Sequence, residues 1–237
     1  MPRKARLAPG GWVYHAINRG NRRMRIFGCD GDCRAFLQAM NDALKIVPMR
    51  ILGWCLMPNH WHLVLWPNED GDLLRFVGWL SNTHVRRYNR FHGLDGRGHL
   101  YQGRFTSFPI QADHHRLCVL RYVEANALRP RLVERAEDWP WGSLHARLAA
   151  ATGEAASFRP PLSDWPVPCP ENWPDLVNRE LEPKQAEQVH LRIERSRPCG
   201  QGQWLDQAVK SLNLSHTPRP PGRPKNLAGE EDSTTTT

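Results

Sequence analysis

No apolar run in the 237-residue sequence approaches the roughly 20 residues that cross a bilayer, which excludes a membrane-spanning helix. The start of the chain shows neither the apolar segment of a secretory leader nor the Arg-rich amphipathic pattern of a transit peptide. A cytoplasmic protein with no membrane partner is therefore the expectation. Cysteine is sparse: Cys29, Cys33, Cys55, Cys118, Cys169 and Cys199 are scattered, and no CxxC pair exists to complete a zinc site with Cys29 and Cys33. Acid is absent from the first 29 residues, which carry seven cations: Arg3, Lys4, Arg6, Arg19, Arg22, Arg23 and Arg25. With a net charge of +8, this clustering suits a polyphosphate partner better than a small anionic metabolite, because every neutralised phosphate releases counterions.

What is present is punctuated clearly. Trp12 to Asn18 is aromatic and β-branched, which predicts a strand running into a basic loop at Arg19-Gly20-Asn21. From Asp30 to about Val47, apolar residues at three- and four-residue spacing predict an amphipathic helix with Asp30 as its cap. Met49 to Leu56 and His60 to Trp66 are apolar runs separated by Met57-Pro58-Asn59, which predicts an antiparallel hairpin. A second helix is predicted from Asp72 to about Phe91, broken at Gly93, then a strand near Phe105 to Gln111 and a helix from Asp113 to about Leu128. The order β, α, β, β, α, β, α is that of an α+β, ferredoxin-like or RRM-like antiparallel sheet with helices on one face and one added helix.

Beyond Trp141 the composition changes. Residues 146–156 read as a helix end and a small-residue linker, and Pro160, Pro161, Pro166, Pro168, Pro170 and Pro174 make an irregular connector. Helices are predicted over 180–195 and 204–212. The expected division is a catalytic domain over 1–148, a connector over 149–175, a mainly helical DNA-binding appendage over 176–228, and a disordered tail over 229–237.

Two segments carry chemistry. His60-Trp61-His62 lies inside a strand, so both imidazoles project from one face, roughly 6–7 Å apart at Cα, where they can share one divalent ion. Trp61, Leu63 and Leu65 point to the core. Taken alone, such a pair fits two hydrogen-bonded structural histidines better. The second segment is Leu120 to Arg129. On a continuous helix, Tyr122, Asn126 and Arg129 at i, i+4 and i+7 would share a face, offering a phenol that can attack phosphorus, an amide oxygen for a hard cation, and a guanidinium for phosphate.

Met57 to Leu65, followed some sixty residues later by Tyr122-Val123-Glu124-Ala125-Asn126, resembles the HUH single-tyrosine transposases, and specifically the REP-associated tyrosine transposases. Asn18-Arg19-Gly20-Asn21 with Ile26-Phe27, and Gln102-Gly103-Arg104-Phe105, extend the resemblance over residues 10–148. Where family members commonly have Asn-Pro, this chain has Asn126-Ala127, with Pro130 three residues later. The resemblance implies a transposase that cuts single-stranded DNA at hairpin or REP-like palindromes. It implies Mg²⁺ or Mn²⁺ held by His60, His62 and Asn126, and attack by Tyr122 that leaves a 5′-phosphotyrosine and needs no nucleotide cofactor. A monomer is the expected state.

DNA contacts are expected from Arg19, Asn21, Arg22, Arg23, Arg104 and Arg129, and from Arg223 in Pro218 to Lys225, which is similar to a Gly-Arg-Pro minor-groove hook. Two rival readings share these features. One is a catalytically inactive nucleic-acid-binding module of RRM-like fold, and the other is a replication-initiation or relaxase-type HUH nuclease.

Overall fold

The computed structural model describes residues 7–96, 98–111, 114–154, 156–179, 181–195 and 197–214. Its framework is a four-stranded sheet in the order β2-β3-β1-β4, with β1 Val13–Arg19, β2 Met49–Met57, β3 His60–Pro67 and β4 Thr106–Ile110, every neighbouring pair antiparallel. This is the α+β, ferredoxin-like arrangement that the element order predicts. β1 is paired on both sides and, with a packed layer above and below it, is buried on both faces.

Alternation along the strands divides the interior in two. Tyr14, Ala16, Trp54, Leu56, Trp61, Leu63 and Leu65 face α1 (Asp30–Ile46) and α2 (Asp72–His92), which pack together and bury Phe36, Met40, Phe76 and Leu80. Val13, Cys55, Met57, Val64, Phe108 and Ile110 face the other way, against Val119, Leu120, Tyr122 and Val123 of α3 (His114–Glu124). The two helices of the ferredoxin-like unit thus share one face, and the added helix covers part of the other. A bulge in β2 supports this second layer. Ile51 pairs with Leu65 and Gly53 with Val64, leaving Leu52 extra in the ladder. The Leu52 carbonyl accepts hydrogen bonds from Arg147 Nη2 at 3.0 Å and Trp165 Nε1 at 3.2 Å.

Two sequence expectations are corrected. The cap of α1 is not Asp30: Asp32, one turn in, reaches back to accept the backbone N–H groups of Gly28 at 2.8 Å and Cys29 at 3.2 Å. Helix α3 stops at Glu124 rather than near Leu128, and Ala125 to Leu132 continue as turns. Pro130 explains this, since it has no N–H to give the carbonyl of residue 126 and its ring crowds that turn. Its expected start, Asp113, lies outside the described residues. The helix end expected from Ala146 is the second half of α4, which runs Ser143–Ala151 before Gly153 turns the chain at φ 80°.

From the expected connector and appendage, α5 (Trp173–Asn178) and α6 (Pro183–Arg195) pack onto the second face, while Phe158 and Leu162 pack against the first core and α7 (Gly202–Ser211) sets Trp204 against Trp12, with ring centroids 5.6 Å apart. Trp173, Val177, Val189 and Cys199 join the core beneath α3. Cys199 adds a parallel bridge to Ile110 at the free edge of β4, with Cys199 N–H to Pro109 O at 2.8 Å and Gln111 N–H to Cys199 O at 2.7 Å. Arg223 and the tail from 229 lie outside the described residues. Among the described residues, no helix is long and apolar enough to cross a membrane.

Candidate active site

Strand parity sets the His pair. His60 and His62 lie on the α3 face of β3, their ring centroids 4.9 Å apart, while Trp61 between them fills the opposite core. The two-residue turn at Pro58-Asn59 puts His60 at the mouth of the hairpin, where Asn59 Oδ1 lies 2.6 Å from His60 Nδ1. Because the amide oxygen only accepts, His60 Nδ1 must carry the hydrogen, leaving Nε2 as a bare lone pair.

A third imidazole belongs to this cluster and was missed in reading the sequence. His15, on β1, is fully buried, and its Nε2 lies 2.8 Å from His62 Nδ1. The signal was present in principle: Val13, His15 and Ile17 share one parity, and Ile17 is the register partner of His62. Only the strand pairing reveals which imidazole meets which, and single-strand periodicity does not contain it.

All three imidazoles are held neutral. Burial lowers His15 and His60 to about 3 and His62 well below 6.5. Repulsion between protonated forms of His60 and its neighbours adds to the effect at His15 and His62, and Arg19 and Arg129 add to it at His60. Neutral imidazoles keep their lone pairs at physiological pH, which a metal ligand requires.

Tyr122 reaches the same place from α3. Its ring centroid is 6.1 Å from that of His62, and the residue is 8% exposed. Arg129 comes back over it although the helix has ended. Its guanidinium carbon lies 3.8 Å from the centroid of the phenol ring, and Nη2 donates to the Tyr122 carbonyl at 2.9 Å. The continuous i, i+4, i+7 helix face of the sequence analysis is therefore replaced by a helix end plus a returning turn. Asn126 sits in that turn, buried, with no hydrogen-bond partner for its Nδ2 among the described residues.

Glu124, the last residue of α3, faces away from the imidazoles. Its carboxylate accepts Ser143 Oγ–H and Trp173 Nε1–H, both at 2.6 Å, with Arg147 Nη2 3.7 Å away. This buried cluster ties the tyrosine-bearing helix to α4 and α5. Sequence reading missed it because its members are separated by up to 49 residues.

Basic groups converge on the open end of the site. Arg19 is the register partner of His60. The loop after it wraps the hairpin turn: Gly20 N–H donates to Asn59 O at 2.8 Å, Asn59 Nδ2 to Arg23 O at 3.3 Å, and Ile26 N–H to Pro58 O at 2.8 Å. Arg22 and Arg23 are exposed and left-handed, at φ 50° and 61°. A second loop is pinned beside it by Gln102 N–H to Arg19 O at 2.9 Å and Asn18 Nδ2 to Gly103 O at 3.2 Å, leaving Arg104 exposed. Thus Arg19, Asn21, Arg22, Arg23, Arg104 and Arg129 all lie on segments at this end of the sheet.

No cluster of three His, Cys, Asp or Glu side chains suited to a metal is found among the described residues. A donor set of His60, His62 and the Asn126 amide is compatible with that result, and all three are neutral. Such a set leaves the full charge of a divalent ion available to an anionic substrate, and the free Nε2 lone pair at His60 fits the role.

Comparison with known proteins places these features in context. Residues 11–126 match the family described as IS200-like transposases. A Haemophilus influenzae protein assigned to the REP-associated tyrosine transposases is 24% identical over 123 residues, covering 48% of this chain and 70% of that one. Among solved structures, a REP-associated tyrosine transposase bound to a REP hairpin is 20% identical and covers 70% of this chain and 94% of its own, with a TM-score of 0.49. A Deinococcus radiodurans protein assigned as a transposase is also 20% identical, covering 52% and 96%, with a TM-score of 0.38.

Proposed function

We propose, from the match of residues 11–126 to the IS200-like transposase family and the similarity to a REP-associated tyrosine transposase, that the chain cuts and rejoins single-stranded DNA at the foot of a hairpin. The observation that carries this reading is the approach of Tyr122 to the His60–His62 pair. His60, His62 and the Asn126 amide would hold Mg²⁺ or Mn²⁺, which would supply Lewis-acid polarisation of the scissile phosphate.

The residues do the rest. Arg19 and Arg129 add positive charge beside the phosphate, and the packing of Arg129 on the phenol ring fixes the direction of Tyr122. The Tyr122 oxygen attacks phosphorus, its proton passing to water, while the bond from phosphorus to the 3′-oxygen breaks and that oxygen takes a proton from water. The product is a 5′-phosphotyrosine and a free 3′-hydroxyl. One phosphoester replaces another, so rejoining by a 3′-hydroxyl needs no nucleotide cofactor. The basic loop over 19–25, with Arg104, holds the hairpin and its single-stranded foot.

Cleavage of a labelled hairpin oligonucleotide tests the metal site. We expect activity with Mg²⁺ or Mn²⁺, none in excess chelator, and a loss of 100-fold or more (on the order of 3 kcal/mol) for His60→Ala in a chain that melts like the parent. Full cleavage in chelator contradicts the proposal.

A further inference from the structure

The fully buried His15 has one nitrogen bonded to His62 and one, Nδ1, with no partner among the described residues. Its ring packs against Phe108, with centroids 4.8 Å apart. For packing alone a phenyl ring would fill this place without stranding a buried nitrogen, which has a free-energy cost. The bond to His62 is what the imidazole adds.

Resting on the metal-site reading above, we propose that His15 is a positioning residue that sets the tautomer of His62 for divalent-cation binding. Two neutral imidazoles can share the 2.8 Å contact in two ways. If His15 Nε2 carries the hydrogen, His62 accepts at Nδ1, and its own hydrogen sits on Nε2, where it blocks a cation. If His62 Nδ1 carries the hydrogen and His15 Nε2 accepts, His62 Nε2 is a bare lone pair. Only the second arrangement binds metal. It also matches His60, whose Nδ1 donates to Asn59 and whose Nε2 is therefore free. Each ligand imidazole thus has its far nitrogen held by a fixed acceptor, an amide oxygen for one and His15 for the other. Outer-shell acceptors of this kind fix ring orientation as well as proton position. The backbone supplies the rigidity, since His15 stands on the central strand, paired on both sides.

Binding of Mn²⁺ to the full chain, followed by the electron paramagnetic resonance signal of the free ion, reads this without reference to cleavage. His15→Phe keeps the packing and removes the acceptor, and we expect its affinity to fall about 10- to 100-fold. His15→Gln places an amide oxygen near the lost Nε2 and should recover most of that loss. The wild-type chain gives an independent reading: with saturating Mg²⁺, two-bond ¹⁵N spectra of the imidazoles should show His62 carrying its hydrogen on Nδ1. Wild-type affinity in His15→Phe, equal losses in the Phe and Gln variants, or an Nε2–H tautomer of His62 with Mg²⁺ bound each overturn the role of His15. Unchanged Mn²⁺ binding in His62→Ala overturns the metal-site reading itself, which separates the two failures.

Discussion

At the scale of single residues, the unusual feature is how many imidazoles are kept neutral by burial. His84 does so outside the site. It is fully buried on α2, its Nδ1 lies 2.6 Å from Tyr101 Oη, which in turn accepts Trp61 Nε1–H at 2.9 Å, and burial lowers it to about 3. Below the unfolded value of 6.5, the unfolded chain binds a proton at this position that the folded chain refuses. The stability that the neutral imidazole contributes is therefore complete above 6.5 and is lost as pH falls toward 3. Each such histidine steepens the fall by up to about 1.4 kcal/mol per pH unit. Urea unfolding of His84→Gln between pH 6.5 and 4.5 should show a slope shallower by about one proton, and an unchanged slope contradicts the assignment. The sequence disclosed His60, His62 and Tyr122 because spacing and motif carry them. His15, His84 and Glu124 were not legible, since their partners are distant in the chain and nothing local distinguishes a buried ring from an exposed one.

Secondary-structure elements were largely readable where one face is apolar. The strands, α1 and α2 fall within a few residues of the predicted bounds because alternation and helical spacing are imposed by burial. The end of α3 was not readable in the same way. Local pattern favours continuing the helix to Leu128, while Pro130 and the anchoring of Glu124 to Ser143 and Trp173 end it. The seat of α3 depends on Gly53, where an added Cβ would stand 3.0 Å from Leu120 Cδ2 and 3.1 Å from Ser143 Oγ. Gly53→Val should cost about 1–3 kcal/mol by overpacking. It should also slow cleavage beyond what the unfolded fraction explains, because the helix that carries Tyr122 is the part pushed away. Thermal unfolding and single-turnover cleavage on one preparation measure both, and normal cleavage by the folded fraction contradicts this dependence. Trp173→Phe leaves a Glu124 carboxylate oxygen without its donor and should lower unfolding free energy by about 1–3 kcal/mol in urea titrations. A change within error contradicts the role of this cluster.

At the scale of the whole molecule, the groups proposed for chemistry and those proposed for recognition sit at one end of the sheet but on different segments. The imidazoles and Tyr122 occupy the α3 face, and the exposed cations sit on two loops joined to the end of β1 and to the hairpin turn. The two functions should therefore separate by mutation. Replacing Arg22, Arg23 and Arg104 with Ala should weaken binding to a hairpin with a single-stranded foot and reduce the salt slope of log affinity by about 2, at about 0.7 per phosphate contact. It should leave Mn²⁺ binding intact. Equilibrium binding across a salt series reads this, and an unchanged slope removes these arginines from the interface.

The most direct measurement concerns the nucleophile, because everything proposed for the site depends on Tyr122. A hairpin oligonucleotide labelled on the 3′ side of the cut, incubated with protein and Mn²⁺ and run under denaturing conditions, should carry its label into a protein-sized band with the wild-type chain. Tyr122→Phe should bind the same hairpin with similar affinity and give no such band. A covalent band from the phenylalanine variant, or none from a folded, metal-loaded wild-type chain that cuts the DNA, contradicts attack by this tyrosine.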